Sequence, residues 1–527
     1  MAKRRSLPPR AERASPKGAV MVDVPSRLVQ AARSLWSENR FRDAIELYEE
    51  AMRREPNNVR AYVFAARAYA EKCDFDRMDQ THEKLLRRAP RHPGVHHYMG
   101  ETYGILKLPQ RAIASYERAA RLPGAGPPTW MELASLYERS HRLDEAEQLI
   151  ERTVRSGFSL PLVSLVRGRI QRRLQRLEEA EATFLSITEY TPEDSDWACQ
   201  AWGELALMRD AQGDFGGAVE AIGRCKRGQK LREGAHLQSS DKVHAQIREM
   251  IASIRREDFR RWREEARHLA PRRTALLTGF PRSGTTLLEQ MLDAHPGLVN
   301  SEERDFIGRE LFHSIAYRRG NTPLLEVIDE LSMDEIEIQR RRYFAGMEYL
   351  LGEPIGERMH LDKNPAYNPT IPLVLRVLPE TRLIVALRDP RDVVLSCYLR
   401  YLPVNNVSVR FLDIERTAER YALDMTAWLK FRELIEAPWC EVRYEDTVAD
   451  AERQARRALD TLGLAWDNQV LNYRQRLGTR PVTSPTYEAV AQPIYTRAIG
   501  RWKNYQRLLE PVLPVLEPLI REFGYDS

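Results

Sequence analysis

A 34-residue spacing runs through the first half of this 527-residue chain and restricts what that half can fold into. Ala44, Met78, Ala112, Ala146 and Ala180 each stand 34 residues from the last. One helical turn later come Tyr48, His82, Tyr116, Ile150 and Phe184, and three residues before lie Phe41, Phe75, Leu143 and Leu177. Positions related in this way share one face of an α-helix. Pro56 and Pro90, again 34 apart, end the helices that carry the face, because proline cannot continue the hydrogen bonding of a helix interior. A less regular further copy holds Phe215, Ala218 and Ile222. A single helix pair cannot bury such a stripe by itself, so the units must stack into a curved solenoid with a concave surface.

The period resembles that of tetratricopeptide repeats, over residues 26–228 in about six helix pairs. That resemblance implies capture of a protein or peptide substrate or partner. Support of a neighbouring domain and association into a homo-oligomer are left open by the sequence. The chain is longer than one hydrophobic core usually supports, so a second domain is expected. A hydrophobic content of 43%, without any apolar run long enough for a bilayer, predicts no membrane span. A net charge of +5, spread over the whole length, gives no case for a nucleic-acid partner. Five widely spaced cysteines, none in a C-x-x-C pattern, disfavour a disulfide framework or structural zinc and suit a reducing, cytoplasmic setting. Residues 1–25 are basic and lack an apolar segment, which predicts a disordered arm and not a secretory signal.

Residues 229–271 are expected to be a helical linker. Cys225 to Asp241 shows little periodicity and reads as the exit from the array, and one or two amphipathic helices then end at Pro271. Arg255, Arg256, Arg260 and Arg261 read as a solvated basic face. The remainder, residues 272–527, is expected to be an α/β domain with a mostly parallel sheet, including strands near 274–280, 383–387 and 438–444. Helices around "LLEVIDELSMDEIEIQRRRYFAGMEYLLG" are expected to flank an acceptor cleft.

The loop Gly279–Thr286, "GFPRSGTT", follows an apolar run and precedes a helical pattern at Leu287, Leu288, Met291 and Leu292. Its spacing is that of a phosphate-binding loop, G-x-x-x-x-G-K-[ST], except that Thr285 stands in the lysine position. Amides of Ser283 to Thr286, at the positive end of the helix, are expected to face an anion. Without the lysine that reaches a triphosphate, the loop suits a phosphosulfate better, with Arg282 supplying a guanidinium. Arg388 follows the apolar run "LIVAL", at the strand end where open α/β sheets bind ligands, and the next helix brings Ser396 towards the same anion.

"FPRSGTTLLEQMLDAHP" resembles the 5′-phosphosulfate loop of sulfotransferases, and "RDPRDVVLS" resembles their 3′-phosphate motif. With "NSEERDF", "LDKNP", "CEVRYEDTV" and "QPIYTRAIGRW", the resemblance spans residues 272–525 and is nearest the protein-tyrosine sulfotransferase-like branch. Taken with the repeats, the whole chain resembles a tetratricopeptide-repeat sulfotransferase: an α-solenoid followed by a P-loop-like α/β domain.

The resemblance implies 3′-phosphoadenosine-5′-phosphosulfate as donor, with no metal required. It implies Arg282, Ser283, Gly284, Thr285, Thr286, Arg388, Ser396, Arg400, Tyr444 and Arg501 as donor-binding residues. It makes Glu303, 21 residues after Arg282, the general base, and gives Lys363 and Arg282 the task of stabilising the transferring group. Thr486 stands where the family has a transition-state serine, with Ser484 as the competing assignment. Against these roles, Glu302 and Glu303 could instead cap a helix start, and Tyr444 could be a core residue. His295 reads as structural, Arg391 as a surface charge and Trp502 as core. Protein tyrosine is the leading acceptor, and a glycan, lipid or small molecule the alternative. More remote readings are a P-loop kinase and a repeat scaffold with an inactive transferase domain.

Overall fold

A computed structural model describes residues 23–308, 322–477 and 496–526, so Ser484 and Thr486 lie outside the described residues. The array consists of six packed helix pairs: α1 (Arg27–Ser37) with α2 (Phe41–Arg54), α3 (Val59–Glu71) with α4 (Phe75–Arg88), α5 (Pro93–Ile105) with α6 (Pro109–Arg121), α7 (Pro127–Arg139) with α8 (Leu143–Arg155), α9 (Pro161–Arg173) with α10 (Leu177–Tyr190), and α11 (Asp196–Ala211) with α12 (Phe215–Lys230). Ala44, Met78, Ala112, Ala146, Ala180 and Ala218 are all 0% exposed, so the recurring small position marks where neighbouring helices touch. Pro93, Pro127 and Pro161 open α5, α7 and α9, at the position where a missing N–H leaves no internal bond unmade. The turn inside each pair closes on a left-handed residue: Asn39, Cys73, Lys107, His141 and Gln175, then Gly213.

The segment expected to be an irregular exit is helical. The helix α12 runs to Lys230 and α13 (Gly234–Ser253) begins four residues later. Periodicity fails there because buried polar side chains serve the next domain: Lys226 Nζ donates to the Arg400 carbonyl and Gln229 Nε2 to the Leu402 carbonyl, both at 2.7 Å. Next comes α14 (Arg256–Glu265), whose basic face is only partly solvated, since Arg260 meets Glu436 at 2.7 Å and Arg256 donates to the Glu433 carbonyl.

Among the described residues the second domain has one parallel sheet, with order β2-β3-β1-β4-β5. Its strands are β1 (Thr274–Thr278), β2 (Leu298–Asn300), β3 (Met359–Lys363), β4 (Arg382–Leu387) and β5 (Trp439–Arg443). β1, β4 and β5 fall where the apolar runs predict them. β2 and β3 were not foreseen, because β2 has three residues and β3, "MHLDK", buries a histidine, an aspartate and a lysine. One contiguous apolar core contains residues of the first repeats, the last repeats and one side of the sheet domain. The middle of the array, from Ala112 to Ile170, forms a separate core. The solenoid therefore meets the sheet domain near both of its ends.

Candidate active site

The loop after β1 is shaped by two close approaches. A Cβ on Gly279 would lie 2.4 Å from the Ala386 carbonyl oxygen, so the ends of β1 and β4 come together only with glycine there. Gly284, at φ 92°, is the left-handed cap of α15 (Thr285–Asp293), and a Cβ on it would meet the Tyr444 ring at 2.6 Å. Thr285 and Thr286 are the first helical residues, whose N–H groups have no acceptor within the helix. Ser283 departs from expectation, since its N–H donates to the Phe280 carbonyl at 3.1 Å and its amide belongs to the turn.

At the end of β4, Arg388 donates to the Arg282 carbonyl at 3.1 Å and to the Ala498 carbonyl, and lies 3.6 Å from Asp392. Its guanidinium is 5.1 Å from the centre of the Tyr444 ring. Arg282 donates through Nε to Ser396 Oγ at 3.1 Å. The structure thus gathers Arg282, Gly284, Arg388, Ser396 and Tyr444 into one contact network. Burial pushes the Asp392 carboxyl up, against the pull of Arg388, and its oxygens accept from the Gly500 and Trp502 amides, both at 2.8 Å.

Two arginines are placed otherwise than expected. Arg501 turns to the array, where Asp210 receives its Nε at 3.1 Å and its terminal nitrogen at 2.8 Å. A basic residue beside "RW" looked available for phosphate because Asp210 lies almost 300 residues earlier in the chain. Arg391, expected on the surface, is buried, clamped by Asp389 at 2.8 Å and stacked 3.9 Å over Trp502. For Arg400 the backbone carbonyl is held by Lys226. His295 accepts from the Gly297 amide at Nδ1, which leaves the proton on Nε2 to donate to the Ala465 carbonyl at 2.8 Å, a structural arrangement.

The third part lies at the carboxyl ends of β2 and β3. Asn300 accepts from the Glu302 amide at 2.9 Å, and Glu302 takes a left-handed φ of 54°, which swings the chain back towards β3. Glu303 Oε1 then receives Lys363 Nζ at 2.6 Å, so its carboxylate is committed to an ion pair and not to a helix start. Glu289, one turn into α15, reaches the same ammonium at 3.0 Å. Lys363 and Glu289 are 1% exposed and Glu303 20%, so of the two acids Glu303 is the one that faces outward.

Burial pushes the Glu289 carboxyl up to about 7, against the pull of Lys363, with Glu302 and Glu303 adding to the rise. Burial acts on Glu303 in the same sense, but Lys363, helped by Lys107 and Arg282, overcomes it and holds the group below its ordinary value. Burial disfavours the Lys363 ammonium, yet the two carboxylates hold its proton more tightly than usual. Sequence reasoning missed Glu289 and Lys107. An acid inside the otherwise apolar "TTLLEQML" was the available signal for the first, and nothing signalled the second.

Fold and loop define an α/β domain with a strand, glycine loop and helix, an arrangement suited to an anion, at the centre of a parallel sheet. Residues 275–468 match the sulfotransferase family, and residues 35–103 and 131–195 match tetratricopeptide repeat families. Protein-tyrosine sulfotransferase 1 of Danio rerio is 26% identical over 263 residues, which are 47% of this chain and 71% of that one. An uncharacterized protein of Aquifex aeolicus is 25% identical over 253 residues, 47% of this chain and 32% of its own length, so the chain spans about a third of that relative. The solved sulfotransferase domain from the Synechococcus PCC 7002 olefin synthase aligns with 50% of this chain and 98% of its own, at 22% identity and a TM-score of 0.35. The chain joins an array that matches tetratricopeptide repeats to an α/β domain that matches the sulfotransferase family.

Proposed function

We propose that the protein transfers the sulfuryl group of 3′-phosphoadenosine-5′-phosphosulfate to an acceptor hydroxyl, with protein tyrosine as acceptor. The observation that carries this reading is the meeting of Lys363 and Glu303 beside the glycine loop, a cation and a carboxylate 2.6 Å apart at the ends of neighbouring parallel strands. The residues fit the donor. The first amides of α15 and the Arg282 guanidinium suit a phosphosulfate, and the buried Arg388 Nε, which has no hydrogen-bond partner among the described residues, suits a second phosphate near Ser396 and Tyr444. Among the described residues no group of acids, histidines or cysteines could hold a metal ion, and the proposed chemistry uses none.

The donor supplies a sulfuryl group on a phosphate leaving group. Glu303 is ionised at neutral pH and takes the proton of the acceptor hydroxyl. Protonation cancels the pull of Glu303 on Lys363, while Glu289 keeps the ammonium in place. Lys363 then directs its positive charge to the oxygens where negative charge develops, and Arg282 does so from the loop side. Thr486 is proposed for the same oxygens on the family motif alone.

The tyrosine acceptor is supported by the similarity to the protein-tyrosine sulfotransferase 1 of Danio rerio, and capture of a protein substrate by the presence of the array. A cytoplasmic location is proposed from cysteine usage, all five cysteines being free thiols. No described helix is long and apolar enough to cross a membrane.

Thermal unfolding with 3′-phosphoadenosine-5′-phosphate and chelator should raise the melting temperature, and magnesium ATP should not. Labelled donor offered to peptides with a tyrosine among acidic residues should label them, and Glu303→Gln should cut the rate by roughly 10²–10⁴-fold. Stabilisation by magnesium ATP alone would replace this reading with a kinase. A full rate in Glu303→Gln would remove the base, and label entering glycans or small alcohols instead would remove tyrosine.

A further inference from the structure

We infer that Lys107, the left-handed turn residue between α5 and α6, is a positioning residue for the base, which makes the repeat array part of the catalytic centre as well as a means of capturing a partner. This rests on the reading of Glu303 as general base. Lys107 Nζ donates to the main-chain carbonyl of Glu303 at 2.6 Å, a charge-assisted bond between two segments 196 residues apart. The backbone of Glu302, next to the accepting carbonyl, is held at a left-handed φ of 54°, while Lys107, at φ 54°, is the left-handed residue that recurs in the turn of each pair. The carbonyl belongs to the residue whose carboxylate meets Lys363, so the array fixes the peptide from which the base projects.

The surroundings set the position of Lys107 independently of its own bond. Phe75 stacks on Tyr349 with ring centres 4.3 Å apart, and the Tyr349 hydroxyl donates to Asp79 at 2.9 Å and accepts from Arg111 at 3.0 Å. These residues of α4 and α6 seat the array on the helix Met333–Leu351. At the far end, Lys226, Gln229 and Asp210 hold Arg400, Leu402, Arg501 and Tyr505. The solenoid thus rests one foot on the base loop and the other on the segments after β4 and near the C-terminus, with its separately cored middle between them.

The charged groups that act on the Glu303 carboxyl are Lys363 from β3, Lys107 from the array and Arg282 from the loop, with Glu289 from α15 sharing Lys363 and Glu302 the neighbour in the chain. Loss of the Lys107 charge removes one of the cations that hold Glu303 ionised. The acid limb of the pH–rate profile should therefore move to higher pH.

The test compares full-length wild type, Lys107→Met and Lys107→Arg. Methionine should lower kcat about tenfold to 100-fold, as misplaced catalytic groups do, with KM for the donor changed by less than about twofold and the acid limb displaced upward. Arginine, which keeps a cationic donor, should recover part of the rate. Stabilisation by 3′-phosphoadenosine-5′-phosphate should persist in both. A wild-type kcat with an unmoved acid limb in Lys107→Met would overturn the inference. So would joint loss of rate and nucleotide stabilisation in both variants, which would make the contact a prop for the fold. Glu303→Gln at the wild-type rate would bring down the base reading itself, whereas an inactive Glu303→Gln beside a fully active Lys107→Met would remove only the role of Lys107.

Discussion

In the array the repeated contact positions from Ala44 to Ala218 are small or apolar and fully buried, and pairs such as Arg155 with Glu151 stay on the outside, at 78% and 52% exposed. The sheet domain instead buries Lys363, Glu289, Arg388 and Asp392 around the ends of its strands. Burying charge is costly unless each group finds partners, so such clusters seldom arise from packing alone. Where the array does bury a lysine, at Lys226, the ammonium serves a carbonyl of the sheet domain. The array also buries Glu138 with Arg173 at 2.9 Å, so buried charge alone marks no site; the contrast lies in the clustering of Lys363, Glu289 and Glu303 at the strand ends.

The largest expected effect on stability probes the scaffold side. Phe184→Ala, at a fully buried ring, should cost about 3–5 kcal/mol in denaturant unfolding. Because Phe184 belongs to the core shared with the sheet domain, nucleotide-dependent stabilisation should fall in the same transition. Two separate transitions, with the nucleotide response intact in the second, would break the picture of a shared core.

A smaller effect probes the buried charge. Glu289 is shifted upward from the ordinary glutamate value of 4.5 to about 7, so the folded state holds its proton more tightly than the unfolded chain. The stability it contributes is present below about pH 4.5 and is lost as pH rises through about 7. In Glu289→Gln, unfolding midpoints measured across this window should lose that decline, an effect on the order of a few kcal/mol across the window. A parallel pH profile in wild type and variant would refute the assignment. The smallest change is Arg155→Ala on the exposed outer face, expected to stay within about 0.5 kcal/mol in the same assay. A larger loss would mean that the outer pairs of the array carry stability after all.

Legibility in the sequence follows the same division. The helix pairs could be read because each one depends on neighbours a fixed number of residues away, and the glycine loop because its fold needs only a strand, a turn and a helix. β3 was hidden, since its buried Lys363 and Asp362 look like surface residues until Glu303, Glu289 and Tyr343 are brought to them. Arg501 was misplaced for the converse reason, its carboxylate partner Asp210 lying in the array. The motifs named residues that the structure brings together, among them Arg282, Arg388 and Ser396, but the amide of Ser283 was spent within the turn and Glu289 went unseen.

The sequence by itself determined the solenoid, the parallel-sheet class of the second half and the glycine loop without its lysine, because hydrophobic period, chain stiffness and local backbone geometry act over short separations. Tertiary structure alone decided that one buried lysine is shared by two acids and that a turn of the array grips the carbonyl of Glu303. Those outcomes depend on charges brought together from distant parts of the chain, and their energies grow as water is excluded between them.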